Sequence, residues 1–182
     1  YVVVSEARAI LPKPSNLTME QAGSVAIAAF TALQGLRDQG KLQPGQQVLI
    51  NGASGGVGSF AVQIAKALGA NVTAVSSTRK LDALRALGAD HVIDYTREDF
   101  TRNGQRYDLI LAANGNRSIS DYQRALSPNG VYVMAGGANA QMMQALLLGP
   151  LMSMTGGRRM RSLMAKPNTA DLAFVAGLLQ AG

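Results

Sequence analysis

Three glycines at Gly55, Gly56 and Gly58 are the residues of this chain best placed to do chemistry, because they stand between an apolar run and an amphipathic stretch. Val48, Leu49 and Ile50 suit a strand covered on both faces. From Val57 the apolar residues recur at Phe60, Ala61, Ile64, Ala65 and Leu68, so the period switches from extended to helical. A turn between such elements lets backbone approach an anionic group wherever side chains are missing. Gly55 and Gly56 clear that approach, Gly58 lets the helix pack tightly on the strand, and the N–H groups of the first helical turn face the anion. The pattern departs from G-x-G-x-x-G, since Ala53 takes the first glycine position and Gly52 precedes it. Alone it would equally serve tight packing, so the flanking elements decide its meaning.

Those elements form a series. Strands are predicted at Asn71 to Ser77, His91 to Tyr95, Asp108 to Asn114, Gly130 to Gly136 and Met160 to Ala165, after the first at 48–50. Helices are predicted at Arg79 to Leu87, Ser118 to Leu126 and Ala140 to Leu148, with Gly69, Gly88 and Gly130 as helix stops or turns. Strands that alternate with helices specify an α/β fold: a doubly wound, parallel, six-stranded Rossmann sheet with helices on both faces. A ligand then lies at the carboxyl ends of the strands, near the switch point between the first and fourth.

With 182 residues, 47% of them hydrophobic, the chain suffices for one core and is short for two domains. The apolar run from Met142 to Met154 is interrupted by Gln144, Gly149, Pro150 and Ser153 and is too short to cross a bilayer, so a cytoplasmic address and no membrane partner are expected. Without cysteine there is no disulfide and no thiolate zinc site in these residues. The net charge of +6 raises the question of nucleic acid, but the cations are scattered and there is no Trp, so no nucleic-acid partner is expected. Arg158-Arg159-Met160-Arg161 reads as a solvated turn, and the cationic surface suits an anionic cofactor.

The end of the second strand reports on that cofactor. NAD-binding domains place Asp or Glu there for the ribose hydroxyls. Here Ser76-Ser77-Thr78-Arg79-Lys80 carries no acid before Asp82, which suits the positive end of a helix. Hydroxyls followed by two cations instead suit a 2′-phosphate, so NADPH is the expected cofactor, with Ser76, Ser77, Arg79 and Lys80 around that phosphate.

The strings Thr31-Ala32-Leu33-Gln34-Gly35-Leu36, Asn51-Gly52-Ala53-Ser54-Gly55-Gly56-Val57-Gly58, Leu87-Gly88-Ala89-Asp90-His91-Val92-Ile93-Asp94-Tyr95 and Gly130-Val131-Tyr132-Val133-Met134-Ala135-Gly136-Gly137 resemble the medium-chain dehydrogenase/reductase superfamily, in particular its quinone oxidoreductase-like, zeta-crystallin-related branch. The resemblance implies pyrophosphate contacts at Gly55, Gly56 and Val57, and 2′-phosphate contacts at Lys80 and Tyr95. It places Asn114-Gly115 and Gly136-Gly137 along the nicotinamide, and leaves Thr31 either near the ring or facing a neighbouring helix.

The same resemblance implies that residues 1–17 are the tail and linker of a GroES-like catalytic domain, that 18–182 are the NADP(H)-binding domain, and that this chain alone does not turn over substrate. The implied reaction is hydride transfer from NADPH to a quinone or an α,β-unsaturated carbonyl. No acid/base dyad is visible, no catalytic residue is assigned and no metal ligand is expected here; His91, the single histidine, matches a structural position. The alternatives are a zinc-dependent alcohol dehydrogenase of the same superfamily, or a non-enzymatic NADPH-binding sensor or structural protein. A homodimer is expected through the edge strand at residues 160–165, with Met160, Leu163 and Met164 exposed along it.

Overall fold

Thr18 starts the first helix by a reciprocal cap: its hydroxyl accepts from Gln21 N–H at 3.2 Å while the Gln21 side chain accepts from Thr18 N–H at 2.9 Å. The computed structural model describes residues 10–137 and 157–181. Helix α1 (Met19–Leu33) runs into a π-helical turn, Gln34–Gln39, before the first strand. The strands are β1 (Gln47–Asn51), β2 (Asn71–Ser76), β3 (His91–Asp94), β4 (Tyr107–Ala112), β5 (Leu126–Met134) and β6 (Arg159–Ser162). Between and after them lie α2 (Gly56–Ala67), a 3-10 turn at Thr78–Lys80, α3 (Leu81–Ala86), α4 (Ile119–Ala125) and α5 (Thr169–Ala181).

All strand pairs are parallel, in the order β3-β2-β1-β4-β5-β6. Alternation along the strands divides the core. Val48, Ile50, Val72, Ala74, Leu109 and Leu111 face α1, α2, α3 and α5, whereas Leu49, Val75, Ile93 and Ile110 face α4 and Phe100. Right-handed crossovers require this: the chain steps one way from β1 to β3 and the other way from β4 to β6, so the helices change face at the junction of β1 and β4. The doubly wound sheet with helices on both faces is therefore as expected.

Several boundaries differ. Gly69 and Gly88 end their helices with φ of 80° and 95°, as read. In the first half of β5 the left-handed residue is Asn129 (φ 65°), and Gly130 is needed for closeness instead of as a helix stop, since a Cβ there would lie 3.0 Å from both Ser127 O and Tyr107 O. The register shift between Tyr107 and Leu109 lets β5 begin at Leu126, earlier than the predicted Gly130. The predicted helix at Ala140 to Leu148, and the apolar run containing it, lie outside the described residues. No helix among the described residues is long and apolar enough to cross a membrane.

The last helix is tied back by a buried carboxylate. Asp171, 3% exposed, accepts from Gln34 at 2.7 Å, Arg37 at 2.6 Å and Asn168 at 2.8 Å. Burial pushes its carboxyl up, but the hydrogen bonds from Gln34, Arg37 and Asn168 outweigh burial and hold it below the ordinary range.

Candidate functional site: a crevice at the switch point

Where the helices change face, the turns after β1 and β4 part and leave a crevice of about 310 Å3. Gly52, with φ of 81°, makes the first turn possible, and a Cβ on it would stand 2.7 Å from Asn114 Cβ. It is thus the tight-turn glycine, one place earlier than the pattern G-x-G-x-x-G suggests, and Ala53 is fully buried beneath. Gly58 seats α2 on this turn, since its Cβ would fall 2.2 Å from Gly52 O and 2.6 Å from Ala53 Cα. The close packing is against turn residues 52–53, immediately past the strand.

Gly55 and Gly56 differ in kind. A Cβ at Gly56 would meet nothing within 4 Å and one at Gly55 only Gly52 O at 3.5 Å, so the space beside them is open. Gly55 caps α2 without any side-chain hydrogen bond, and the first helical bond back to it is Ser59 N–H to Gly55 O at 2.9 Å. The amides of Gly56, Val57 and Gly58 precede that bond, in the first turn of the helix, where backbone N–H groups can receive an anion.

At the other end of the crevice the turns after β2 and β3 meet. Ser76 is buried, and its hydroxyl is 2.7 Å from that of Ser54, so it braces the glycine turn. Ser77 is half-buried, and Tyr95 is 47% exposed with its N–H bonded to Ser76 O. Arg79 and Lys80 stand exposed on the 3-10 turn, and neither has an acidic partner among the described residues. Asp82 is fully exposed and paired with Arg85 at 2.6 Å.

One acid here was invisible along the chain. The β2–β3 register sets Asp94 opposite Ser76, and its carboxylate takes hydrogen bonds from Thr78 Oγ1, from Thr96 Oγ1 at 2.7 Å and from Thr96 N–H at 3.0 Å. The Thr78 and Thr96 hydroxyls hold it below the usual carboxylate range. Asp94 so clips together the two turns that carry Ser77, Arg79, Lys80 and Tyr95.

The crevice brings together Gly55, Ser76, Ser77, Tyr95 and Asn114, with Gly56 and Val57 at its helix edge and Arg79 and Lys80 on the adjoining turn. Gly136 and Gly137 lie beside it and serve the chain's own packing: their Cβ atoms would meet Ala113 O at 2.7 Å and Gly115 O at 2.8 Å. Gly115 N–H bonds Gly136 O at 2.9 Å. Thr31 is buried in α1 and donates to Ile27 O at 2.8 Å. His91 lines a separate polar hollow at the amino ends of the strands, opposite the crevice. Among the described residues no group of three acidic or histidine side chains could hold a metal.

The open glycine edge, the uncapped helix start and the two unpaired cations fit a dinucleotide phosphate chain. Comparison with known proteins agrees. The family model described as zinc-binding dehydrogenase matches residues 56–176. The chain is 41% identical to 2-methylene-furan-3-one reductase of Solanum lycopersicum over 117 residues, 63% of this chain and 30% of that protein. It is 36% identical to the pikromycin polyketide synthase component PikAII of Streptomyces venezuelae over 143 residues, 74% of this chain and 4% of that protein. The quinone oxidoreductase structure from Coxiella burnetii superposes with a TM-score of 0.80 at 29% identity, over 94% of this chain and 52% of that one. The chain thus spans about half of that structure and less of those curated relatives. It belongs to the zinc-binding dehydrogenase family of the medium-chain dehydrogenase/reductase superfamily, and its fold is the family's nicotinamide dinucleotide-binding domain.

Proposed function

We propose that this chain binds NADPH within a reductase that delivers hydride to a quinone or an α,β-unsaturated carbonyl. The observation that carries the cofactor choice is the pair of cations, Arg79 and Lys80, without an acidic partner among the described residues and beside Ser77 and Tyr95. Gly55, Gly56 and Val57 hold the pyrophosphate through backbone amides; Arg79, Lys80 and Tyr95 hold the 2′-phosphate; Asn114 borders the nicotinamide half. The bound nicotinamide supplies the hydride, and the chain supplies grip and orientation. The substrate class is supported by the names of two relatives, a furanone reductase and a quinone oxidoreductase. Titration of NADPH and NADH into the purified protein tests the choice: tighter NADPH binding by about tenfold or more is expected, and equal or tighter NADH binding would refute it. A zinc-dependent alcohol dehydrogenase is the second reading, favoured by the description of the matching family; stoichiometric zinc together with alcohol oxidation by the intact enzyme would establish it.

We also propose a homodimer through residues 160–165, where β6 forms the edge of the sheet among the described residues. The edge is less apolar than its sequence implies. Met160 is buried at 9% and Leu163 is half-buried against the core, which leaves Met164, 84% exposed. Leu163 N–H bonds Met134 O at 2.9 Å, so by alternation Arg159, Arg161 and Leu163 face β5 while the N–H groups of Ser162 and Met164 point outward. Ser162→Pro removes an outward donor and spares those to β5. Light scattering should give a dimer for the parent and a monomer for Ser162→Pro; a monomeric parent, or a variant that stays dimeric, would exclude this interface.

A further inference from the structure

Asn51 is the last residue of β1, 4% exposed, and its side-chain amide is the hub of a buried polar cluster under the crevice. Its Nδ2 lies 3.0 Å from Asn114 O, 3.2 Å from Asn116 Oδ1 and 2.7 Å from the Tyr122 hydroxyl. The Asn51 backbone carbonyl accepts from Ala113 N–H at 3.0 Å and Asn114 N–H at 3.1 Å. Tyr122 also accepts from Asn116 N–H at 3.3 Å. Its ring is fully buried, 4.7 Å from that of Tyr132 and 6.0 Å from that of Phe100, so packing fixes the position of the hydroxyl.

A buried amide and a buried phenol thereby share a task. They staple the turn after β1, which carries the phosphate cradle, to residues 114–116 after β4. A packed core could hold α4 with apolar side chains alone; a polar hub at this place fixes the loop backbone in a single arrangement. The 2′-phosphate candidates lie beyond β2 and the pyrophosphate cradle lies at α2, so a dinucleotide laid across the switch point puts its second nucleoside over the β4 side, against residues 114–116.

We propose that Asn51 and Tyr122 are positioning residues that set the spacing of the two turns and so seat the nicotinamide-ribose half of the cofactor. This rests on the dinucleotide reading above and goes beyond it by separating the two halves of the site. Tyr122→Phe keeps the ring packing and leaves the Asn51 amide two acceptors, Asn114 O and Asn116 Oδ1, but deprives Asn116 N–H of its partner. The loss falls on the loop.

Two ligands distinguish the halves: NADP+, which spans both, and 2′,5′-ADP, which occupies only the adenine end. Tyr122→Phe should weaken NADP+ binding on the order of fivefold and leave 2′,5′-ADP unchanged. Asn51→Asp replaces the donor by a carboxylate that faces two oxygens unable to donate to it, Asn114 O and Asn116 Oδ1, and leaves it only the Tyr122 hydroxyl as a donor. It should weaken NADP+ further at pH 8 and recover toward wild type as the pH falls and the carboxyl regains a proton to donate. Equal losses for both ligands in Tyr122→Phe would mean a merely structural role and overturn the proposal, as would unchanged NADP+ affinity or an Asn51→Asp loss indifferent to pH. Failure of the wild-type protein to bind either ligand would overturn the dinucleotide reading itself.

Discussion

Gly58→Ala should lower the melting temperature, although helix propensity alone argues the reverse. Gly58 is the third residue of α2, where Ala is favoured over Gly by about 1 kcal/mol. The new Cβ, however, would stand 2.2 Å from Gly52 O, 2.6 Å from Ala53 Cα and 2.7 Å from Ala53 C, all backbone atoms of the turn that carries the phosphate cradle. No flexible side chain can give way, so α2 or the turn must shift, at a cost of about 3 kcal/mol typical of overpacking. The net loss of about 2 kcal/mol corresponds to a fall of roughly 4–8 °C in a domain of this size. Gly56→Ala is the counterpart. Its Cβ meets nothing within 4 Å, so the fold should be as stable or more so, while NADPH affinity falls because the methyl occupies the anion's approach. Thermal melts should therefore separate the two variants, and titration of Gly56→Ala should show a loss of cofactor affinity without a loss of stability. A Gly58→Ala protein that melts with the parent would show that the contact between helix and turn is looser than described.

That contrast marks how far the sequence could be read. Apolar runs and periodicity located the sheet and its helices, because the central strands β1, β2 and β4 are buried on both faces and the helices between them carry apolar residues on the side that packs against the sheet; boundaries moved by only a few residues at most elements. The site's inner logic lay in pairings between distant segments. Asp94 gives no signal along the chain because its meeting with Thr78 depends on the β2–β3 register. The need for Gly52 is not visible in its own segment because its reason is Asn114, sixty-odd positions away on the neighbouring turn. The hydroxyl of Ser76, read as a phosphate ligand, faces Ser54 inside the turn. Composition along one segment shows which groups are present, and only the folded register shows which are already engaged.

Engagement also decides the second large effect, Lys80→Ala. The cations elsewhere on this surface are commonly answered: Lys66 by Asp90 at 2.8 Å, Arg85 by Asp82 at 2.6 Å, Arg124 by Asp121 at 3.1 Å. Among the described residues Lys80 and Arg79 have no such answer, and the acid nearest in the register, Asp94, is held by the hydroxyls of Thr78 and Thr96 instead of by either of them. Two unanswered cations at the start of a helical segment oppose the local backbone dipole, an arrangement that a bound dianion would relieve. The 3-10 turn keeps Lys80 in place through its N–H bond to Ser77 O at 2.9 Å. If Lys80 binds the 2′-phosphate by a charge-assisted hydrogen bond, Lys80→Ala should weaken NADPH binding by ~1.5–3 kcal/mol, roughly one to two orders of magnitude, and leave NADH nearly unchanged. The preference of the parent for NADPH should also shrink as salt is raised, since the site is exposed and the pairing is screened. Equal losses for the two cofactors, or a preference that ignores both the mutation and the salt, would remove Lys80 from the phosphate site and return the choice of cofactor to groups outside the β2–β3 turns.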